Sequence, residues 1–188
     1  MNFRFLKTDI SIGYEVAAAI SAVLILDSDY RVICCVFAAV LHELGHLLMM
    51  RCFHIRVHRV KIGIFDVLIK ADSPSRFCQE LCVTLGGPAM NLLCAAIFMP
   101  FHQNLFYADL ALGLFNLLPV MTLDGGRLLY LMLSRRFLPK TCSVILRLTT
   151  FVLLLPFFTA GLLMLFRSGY NYSLLAISLY LLAVFFFK

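Results

Sequence analysis

The sequence predicts an all-α polytopic membrane protein with about six transmembrane helices and a small membrane-surface β-hairpin between the second and third helices. Of its 188 residues, 62% are apolar and only 14% are charged, whereas a soluble domain carries about 25% charged residues. The apolar residues fall into runs of about 20, the length that spans a bilayer. Lys and Arg gather in alternate connecting loops. Together these features exclude a soluble globular enzyme, and the length leaves no room for a separate soluble domain.

The apolar runs set the expected helix positions. We place the six membrane helices at residues 12–26, 32–50, 77–101, 105–120, 141–166 and 172–187. The first run follows basic residues, as in a signal peptide. However, Asp9 and Glu15 are out of place in such a peptide and no small-residue cleavage site follows, so the run is better interpreted as a membrane helix.

The distribution of basic residues predicts the orientation. Thirteen of the sixteen Lys and Arg lie in the two terminal segments, in the loop after the second helix and in the loop after the fourth. Basic residues collect in cytoplasmic loops. We therefore expect a multi-pass protein of the cell membrane with both termini cytoplasmic.

The basic loop between the second and third helices has a pattern of its own. Residues 54–70 alternate apolar and polar side chains, with Gly63 and Asp66 as turn candidates. Alternation with period two is typical of strands. We expect a hairpin at the cytoplasmic face of the membrane, with its histidines, His54 and His58, on the surface.

The second helix contains the pattern H-E-x-x-H, formed by His42, Glu43 and His46. Residues four apart share a helix face, so both imidazoles can reach one metal ion, while Glu43 can take a proton from a water beside it. A charge near the middle of a membrane helix costs at least about 2.5–3.5 kcal/mol, and a bound zinc would offset that cost. The alternative is a hydrogen-bonded polar cluster without metal.

A catalytic zinc has three protein ligands and one open position. Candidates for the third ligand are Glu80, His102, Asp109, Asp124 and the hairpin histidines. The topology puts His102 and Asp109 on the outer side of the membrane, where Asp109 could be a gate or interface charge. Glu80 begins the third helix near the inner face.

Asp124 is the favoured third ligand because of the residues around it. Pro119 breaks the preceding helix, and Gly125 and Gly126 permit a tight turn. Unwound backbone at membrane depth is tolerated only inside protein or beside a water-filled cavity, where a carboxylate can turn towards a metal. The alternative is that Asp124 caps the helix that follows.

Two asparagines lie in apolar surroundings. Asn91 follows the Gly86–Gly87–Pro88 break in the third helix, and Asn116 precedes Pro119. Side-chain amides can position substrate or stabilise an oxyanion near a metal. They can equally join helices through hydrogen bonds, and the sequence leaves both roles open.

Three linked motifs carry a family resemblance. H-E-x-x-H in the second helix, G-G-P-x-x-N in the third and N-x-x-P followed by L-D-G-G near the fourth resemble the site-2 protease family of intramembrane zinc metalloproteases, and the order and spacing are similar to the bacterial stage IV sporulation FB type. The resemblance implies one zinc per chain held by His42, His46 and Asp124, with Glu43 as the base. It implies cleavage of a membrane-embedded or membrane-tethered protein near the cytoplasmic face.

The sequence departs from this family pattern at two points. Thr122 stands where many relatives have Pro before Leu-Asp-Gly-Gly, and we expect that the chain lacks the C-terminal nucleotide-sensing domain of the sporulation type. We therefore expect a single protease domain over residues 1–188, with a catalytic core over 32–135. Its expected partners are the substrate, the bilayer and a membrane regulator, but no nucleic acid. A sporulation role stays open.

Two other functions remain as alternatives. A transporter or ion-binding protein could use the broken third and fourth helices as a permeation site, but the two halves of the chain show no similarity and Glu43 would have no role. An inactive family member that binds membrane helices without cutting them would be expected to lack Glu43 or Asp124, and both are present.

Overall fold

A computed structural model describes residues 2–5, 8–12, 30–62, 67–72, 74, 76–168, 175–176 and 179. Its elements are β1 (Asn2–Phe5), β2 (Thr8–Ile12), α1 (Arg31–Cys52), β3 (Val57–Ile62), β4 (Val67–Ala71), α2 (Phe77–Phe98), α3 (Gln103–Asn116), α4 (Asp124–Leu133) and α5 (Pro139–Ser168). They fall into two compact units, residues 1–115 and 116–188. Each unit is described by itself.

The predicted hairpin is confirmed as β3 and β4, which pair antiparallel with Val60 opposite Ile69. It belongs to a four-stranded sheet in the order β1-β2-β3-β4. The N-terminal strand β2 runs parallel to β3, and Ile12 pairs with Ile62. The prediction of a helix beginning at residue 12 is therefore wrong at its first residue, which ends a strand; residues 13–26 lie outside the described part of the chain.

Helix α1 confirms the second predicted helix within two residues at its C-terminal end. It ends where His54 adopts a left-handed backbone conformation (φ 56°), which turns the chain towards β3. The amide of Ile55 donates back to the carbonyl of Met50 at 2.8 Å, which satisfies one of the carbonyls that a helix end leaves without an intrahelical partner.

Helices α1 and α2 pack with their backbones in close contact. A Cβ on Gly86 would lie 2.7 Å from the carbonyl oxygen of Gly45, and a Cβ on Gly45 would in turn collide with the carbonyl of Gly86. Small residues allow this approach between apolar helices. The packing brings the second half of α1 against the middle of α2, where the polar residues of both helices lie.

Three of the described helices are long and apolar enough to cross a membrane: α1, α2 and the Pro139–Arg167 part of α5. Large apolar side chains on α1 and α2 face outward, with exposures of 44% at Phe37 and 58% at Leu93. Helix α3 has 14 residues and is about 21 Å long at 1.5 Å per residue, short of the roughly 30 Å hydrocarbon core. The fourth predicted helix is thus shorter than expected, and most of the sixth lies outside the described residues.

In the second unit, the chain between α3 and α4 is non-helical, as Pro119 predicts. The amide of Met121 donates to Thr150 Oγ1 of α5 at 2.9 Å. Gly125 and Gly126 lie against this loop so closely that a Cβ on either would collide with the carbonyl of Leu117 or Val120. The glycines therefore determine how α4 leaves the loop.

We predict that Gly86→Val destabilises the protein by at least about 1–3 kcal/mol, the usual cost of overpacking, because the added side chain would push α1 from α2. Thermal unfolding in detergent measures the effect. Ala96→Val on the exposed face of α2 is the matched control and should leave the unfolding midpoint unchanged. Equal midpoints for both variants would contradict the close packing.

Candidate metal centre

Two histidines of α1 meet on one face of the helix. His42 Nε2 and His46 Nε2 lie 3.2 Å apart, with the ring planes at 85°. His42 is only 6% exposed. The spacing of four residues predicted this pairing from helix geometry alone.

The other ring nitrogen of His46 defines its tautomer. His46 Nδ1 lies 2.8 Å from the carbonyl oxygen of Val83 on α2. A carbonyl oxygen can only accept a hydrogen bond, so Nδ1 carries the proton. His46 Nε2 then presents a lone pair towards His42.

The tautomer of His42 follows from the orientation of Asn91. The Nδ2 atom of Asn91 donates to the carbonyl of Ala38 at 2.9 Å and to Asp109 Oδ1 at 2.7 Å. This leaves the amide oxygen of Asn91 to accept from His42 Nδ1 at 2.6 Å. His42 Nε2 therefore also presents a lone pair, since its proton is on Nδ1.

Two lone pairs facing each other at 3.2 Å repel, and a cation between or beside them would remove that repulsion. The space next to them is kept by Gly87, where a Cβ would come 2.7 Å from His42 Nε2 and collide with His46 Nε2. Neutral imidazoles that donate through Nδ1 to a fixed partner are the usual ligands of zinc. The residues present therefore fit a zinc ion on this side of α1.

The remaining expected site residues occupy the following positions. Glu43 lies between the two histidines in α1 and is half-buried; Asn116 is the last residue of α3 and is also half-buried. Asp124, in the second unit, is the first residue of α4, and the capping position before it is Leu123. The aspartate is therefore not itself the capping residue, which weakens the alternative that it serves only as a cap.

The other candidate ligands have different surroundings. Glu80 lies in the first turn of α2, and His102 and His54 are exposed. His58 is exposed as well and pairs with Asp72 at 2.8 Å, as expected for a surface hairpin. All four of these side chains lie in the sheet or at the ends of helices rather than in the middle of α1, α2 or α3.

Asp109 is the residue whose position sequence reasoning missed. The sequence offers it as a candidate ligand or as a gate or interface charge, whereas in the structure it is 0% exposed and accepts a hydrogen bond from Asn91. A carboxylate in an apolar helix requires a polar partner, so the acidic residue itself indicated that such a partner exists. The partner lies 18 residues away on another helix, so its identity could not be inferred from spacing.

Known proteins resemble this chain in sequence and in fold. The model of peptidase family M50 matches residues 99–157. Stage IV sporulation protein FB of Bacillus subtilis is 31% identical over 132 residues, which cover 62% of this chain and 45% of that protein. Zinc metalloprotease MJ0392 of Methanocaldococcus jannaschii is 26% identical over 114 residues, covering 53% and 33% of the two chains. The chain thus spans less than half the length of these curated relatives.

The fold comparison covers nearly the whole chain. The solved site-2 protease from Methanocaldococcus jannaschii superimposes with a TM-score of 0.70 at 21% sequence identity, over 96% of this chain and 91% of that one. At this identity the similarity supports the fold alone.

We predict that Gly87→Ala lowers zinc affinity at least about tenfold, because its Cβ would occupy the space beside both Nε2 atoms. Competition with a chromophoric chelator measures the affinity of the purified protein. Ala89→Val, which enlarges an exposed side chain two residues along α2, is the control and should bind zinc as the parent does. Undiminished affinity in Gly87→Ala would place the metal elsewhere.

Proposed function

Because the chain carries a domain of peptidase family M50, the family of the site-2 proteases, we propose that it is an intramembrane zinc metalloendopeptidase. It would hydrolyse a peptide bond of a membrane-embedded or membrane-tethered protein near the cytoplasmic face. The observation that carries this proposal is the pair of Nε2 atoms 3.2 Å apart on a helix able to span a membrane. Such a pair is costly in an apolar helix without a cation.

The proposed ligands are His42, His46 and Asp124, with one zinc per chain. Two imidazoles and one carboxylate are a donor set that zinc accepts, with a fourth position left for water or substrate. Zinc in such a site acts as a Lewis acid and makes water a competent nucleophile near neutral pH. The hydrogen bonds from Nδ1 of each histidine hold the rings in the required tautomer and orientation.

Glu43 is the proposed catalytic base. Its carboxylate would take a proton from the attacking water and then deliver that proton to the nitrogen of the leaving amine. The position of Glu43 between the ligands in the sequence places it one step round the helix from His42. It can therefore approach a water near the metal without competing as a ligand.

We propose substrate or oxyanion positioning for Asn116 but a different role for Asn91. Both amide protons of Asn91 are used in hydrogen bonds to Ala38 and Asp109, so its side chain has no proton left for an oxyanion. Its role would be to hold His42. Asn116, half-buried at the end of α3, remains the residue proposed to donate a hydrogen bond to the substrate or the oxyanion.

The proposed location is the cell membrane, crossed several times, with both chain ends in the cytoplasm. The distribution of Lys and Arg supports this orientation. Hydrolysis within a bilayer requires that water reach the metal through a polar cavity, because hydrocarbon cannot supply it. The substrate, the bilayer and a membrane regulator are the proposed partners.

We predict that Glu43→Gln retains about one zinc per chain but loses cleavage by a factor of about 10²–10⁴, the usual contribution of a general base. Zinc content and cleavage of a co-expressed library of membrane-tethered substrates are measured for parent and variant. Glu80→Gln makes the same chemical change at the start of α2 and should cut like the parent.

Other outcomes of that experiment would contradict the proposal. If the parent holds no metal, the zinc centre is wrong and a transport function gains support. If the parent binds zinc but neither protein cuts, the chain is an inactive family member. Equal cleavage by parent and Glu43→Gln would show that Glu43 is not the base.

We predict that Asp124→Ala loses most of its zinc affinity, at least about tenfold, because only two imidazoles would remain as protein ligands. Chelator competition measures it. Asp72→Ala removes an exposed carboxylate that pairs with His58 and should leave affinity unchanged. Identical affinity in the two variants would remove Asp124 from the ligand set.

A further inference from the structure

Asp109 is a buried carboxylate that the proposed reaction does not use. It lies in the middle of α3 and is 0% exposed. One oxygen, Oδ1, accepts from Asn91 Nδ2 at 2.7 Å. The other, Oδ2, is buried without a hydrogen-bond partner among the described residues. A carboxylate held in this way costs folding stability, so its position calls for a functional explanation.

The hydrogen bonds place Asp109 in series with a metal ligand. The amide oxygen of Asn91 accepts a hydrogen bond from His42 Nδ1 at 2.6 Å, and its amide nitrogen donates one to Asp109. Asn91 therefore lies between the carboxylate and the imidazole. This amide is the hydrogen-bonded connection between Asp109 and His42 among the described residues.

We propose that Asp109 is a positioning residue that acts through Asn91 to orient His42 and strengthen it as a metal ligand. The inference rests on the zinc centre proposed above. A hydrogen bond to a carboxylate is about twice as strong as one between neutral groups. It also polarises the amide, so the amide oxygen accepts more strongly from His42 Nδ1. A better-held Nδ1 proton makes Nε2 a stronger donor to a cation.

The two histidines differ in this respect. His46 is oriented by the backbone carbonyl of Val83, whose strength as an acceptor no side chain substitution changes directly. His42 is oriented by a side chain that is itself tied to a carboxylate. Of the two imidazole ligands, His42 is therefore the one whose affinity for the metal depends on a charge outside the ligand set.

The backbone contact of Asn91 does not replace this role. The carbonyl of Ala38 accepts one amide proton of Asn91 and suffices to set which way the amide faces. The second proton is directed at Asp109 rather than at another neutral group. Under this proposal Asp109 accepts as an ionised carboxylate, and an uncharged isostere should weaken that acceptor while the Asn91 amide stays in place.

A double-mutant cycle on the full chain in detergent tests the proposal. Zinc alone is the probe, and affinity is measured by chelator competition. Loss of a direct partner of a metal ligand costs about 10–100-fold in affinity, which we expect for Asn91→Leu. We expect a smaller loss, about threefold to tenfold, for Asp109→Asn, and less than about twofold for Asp109→Asn added to Asn91→Leu.

Two controls separate positioning from a merely structural role. Asp72→Asn makes the same chemical change at an exposed carboxylate and should not alter zinc affinity. The unfolding midpoint of Asp109→Asn should equal or exceed that of the parent, because a buried charge is removed. If the Asp109→Asn protein is not produced in sufficient amount, Asp109→Ser is measured in its place.

A readout without metal distinguishes a failure of this proposal from a failure of the zinc centre. In the zinc-free protein, ¹⁵N chemical shifts report the fraction of His42 protonated at Nδ1, and this fraction should fall in Asp109→Asn but not in Asp72→Asn. If the parent binds no zinc, the proposed metal centre fails and the tautomer measurement still decides the role of Asp109. An unchanged tautomer, or the same affinity loss in both Asn91 backgrounds, would overturn the proposal.

Discussion

The approach of two histidine nitrogens to 3.2 Å is the constraint on which the surrounding structure depends. Two neutral imidazoles do not hold this geometry unaided, because their lone pairs repel. Each ring is fixed from its far side by an acceptor on α2, the Val83 carbonyl for one and the Asn91 oxygen for the other. These acceptors reach the rings only because Gly45 and Gly86 let the two backbones touch. Close helix packing and the geometry of the histidine pair are therefore one requirement.

The apolar setting gives these polar contacts their weight. Where lipid or apolar side chains replace water, a polar group that loses its partner cannot form a hydrogen bond with solvent instead. The loss of one hydrogen bond therefore also weakens the groups bonded to it. Asn91 shows the consequence, since its amide joins α1, α2 and α3 through three hydrogen bonds. The sequence left open whether Asn91 positions substrate or an oxyanion or instead joins helices, and its hydrogen bonds favour the second role. By joining the helices, Asn91 positions the ring of His42.

Features governed by local periodicity could be predicted from sequence, whereas those governed by tertiary pairing could not. The long apolar runs predicted α1 and α2 within three residues, and a four-residue spacing was enough to pair His42 with His46. The period-two pattern found β3 and β4. It did not find β2, whose pairing with β3 joins residues about 50 apart, because no periodicity encodes a partner strand. The bond between Asn91 and Asp109 escaped prediction for the same reason.

The departure at Thr122 is explained by how the loop before α4 is held. Proline at that point would restrict the backbone by its ring; threonine does not, and its hydroxyl is buried without a hydrogen-bond partner among the described residues. The loop is instead held from α5, where Thr150 Oγ1 accepts from the Met121 amide and donates to the Leu146 carbonyl at 2.8 Å. The neighbouring glycines add a steric limit, since no side chain fits between α4 and the loop carbonyls. A conformation held by a hydroxyl and two glycines does not depend on a proline ring, so Asp124 can begin α4 without one.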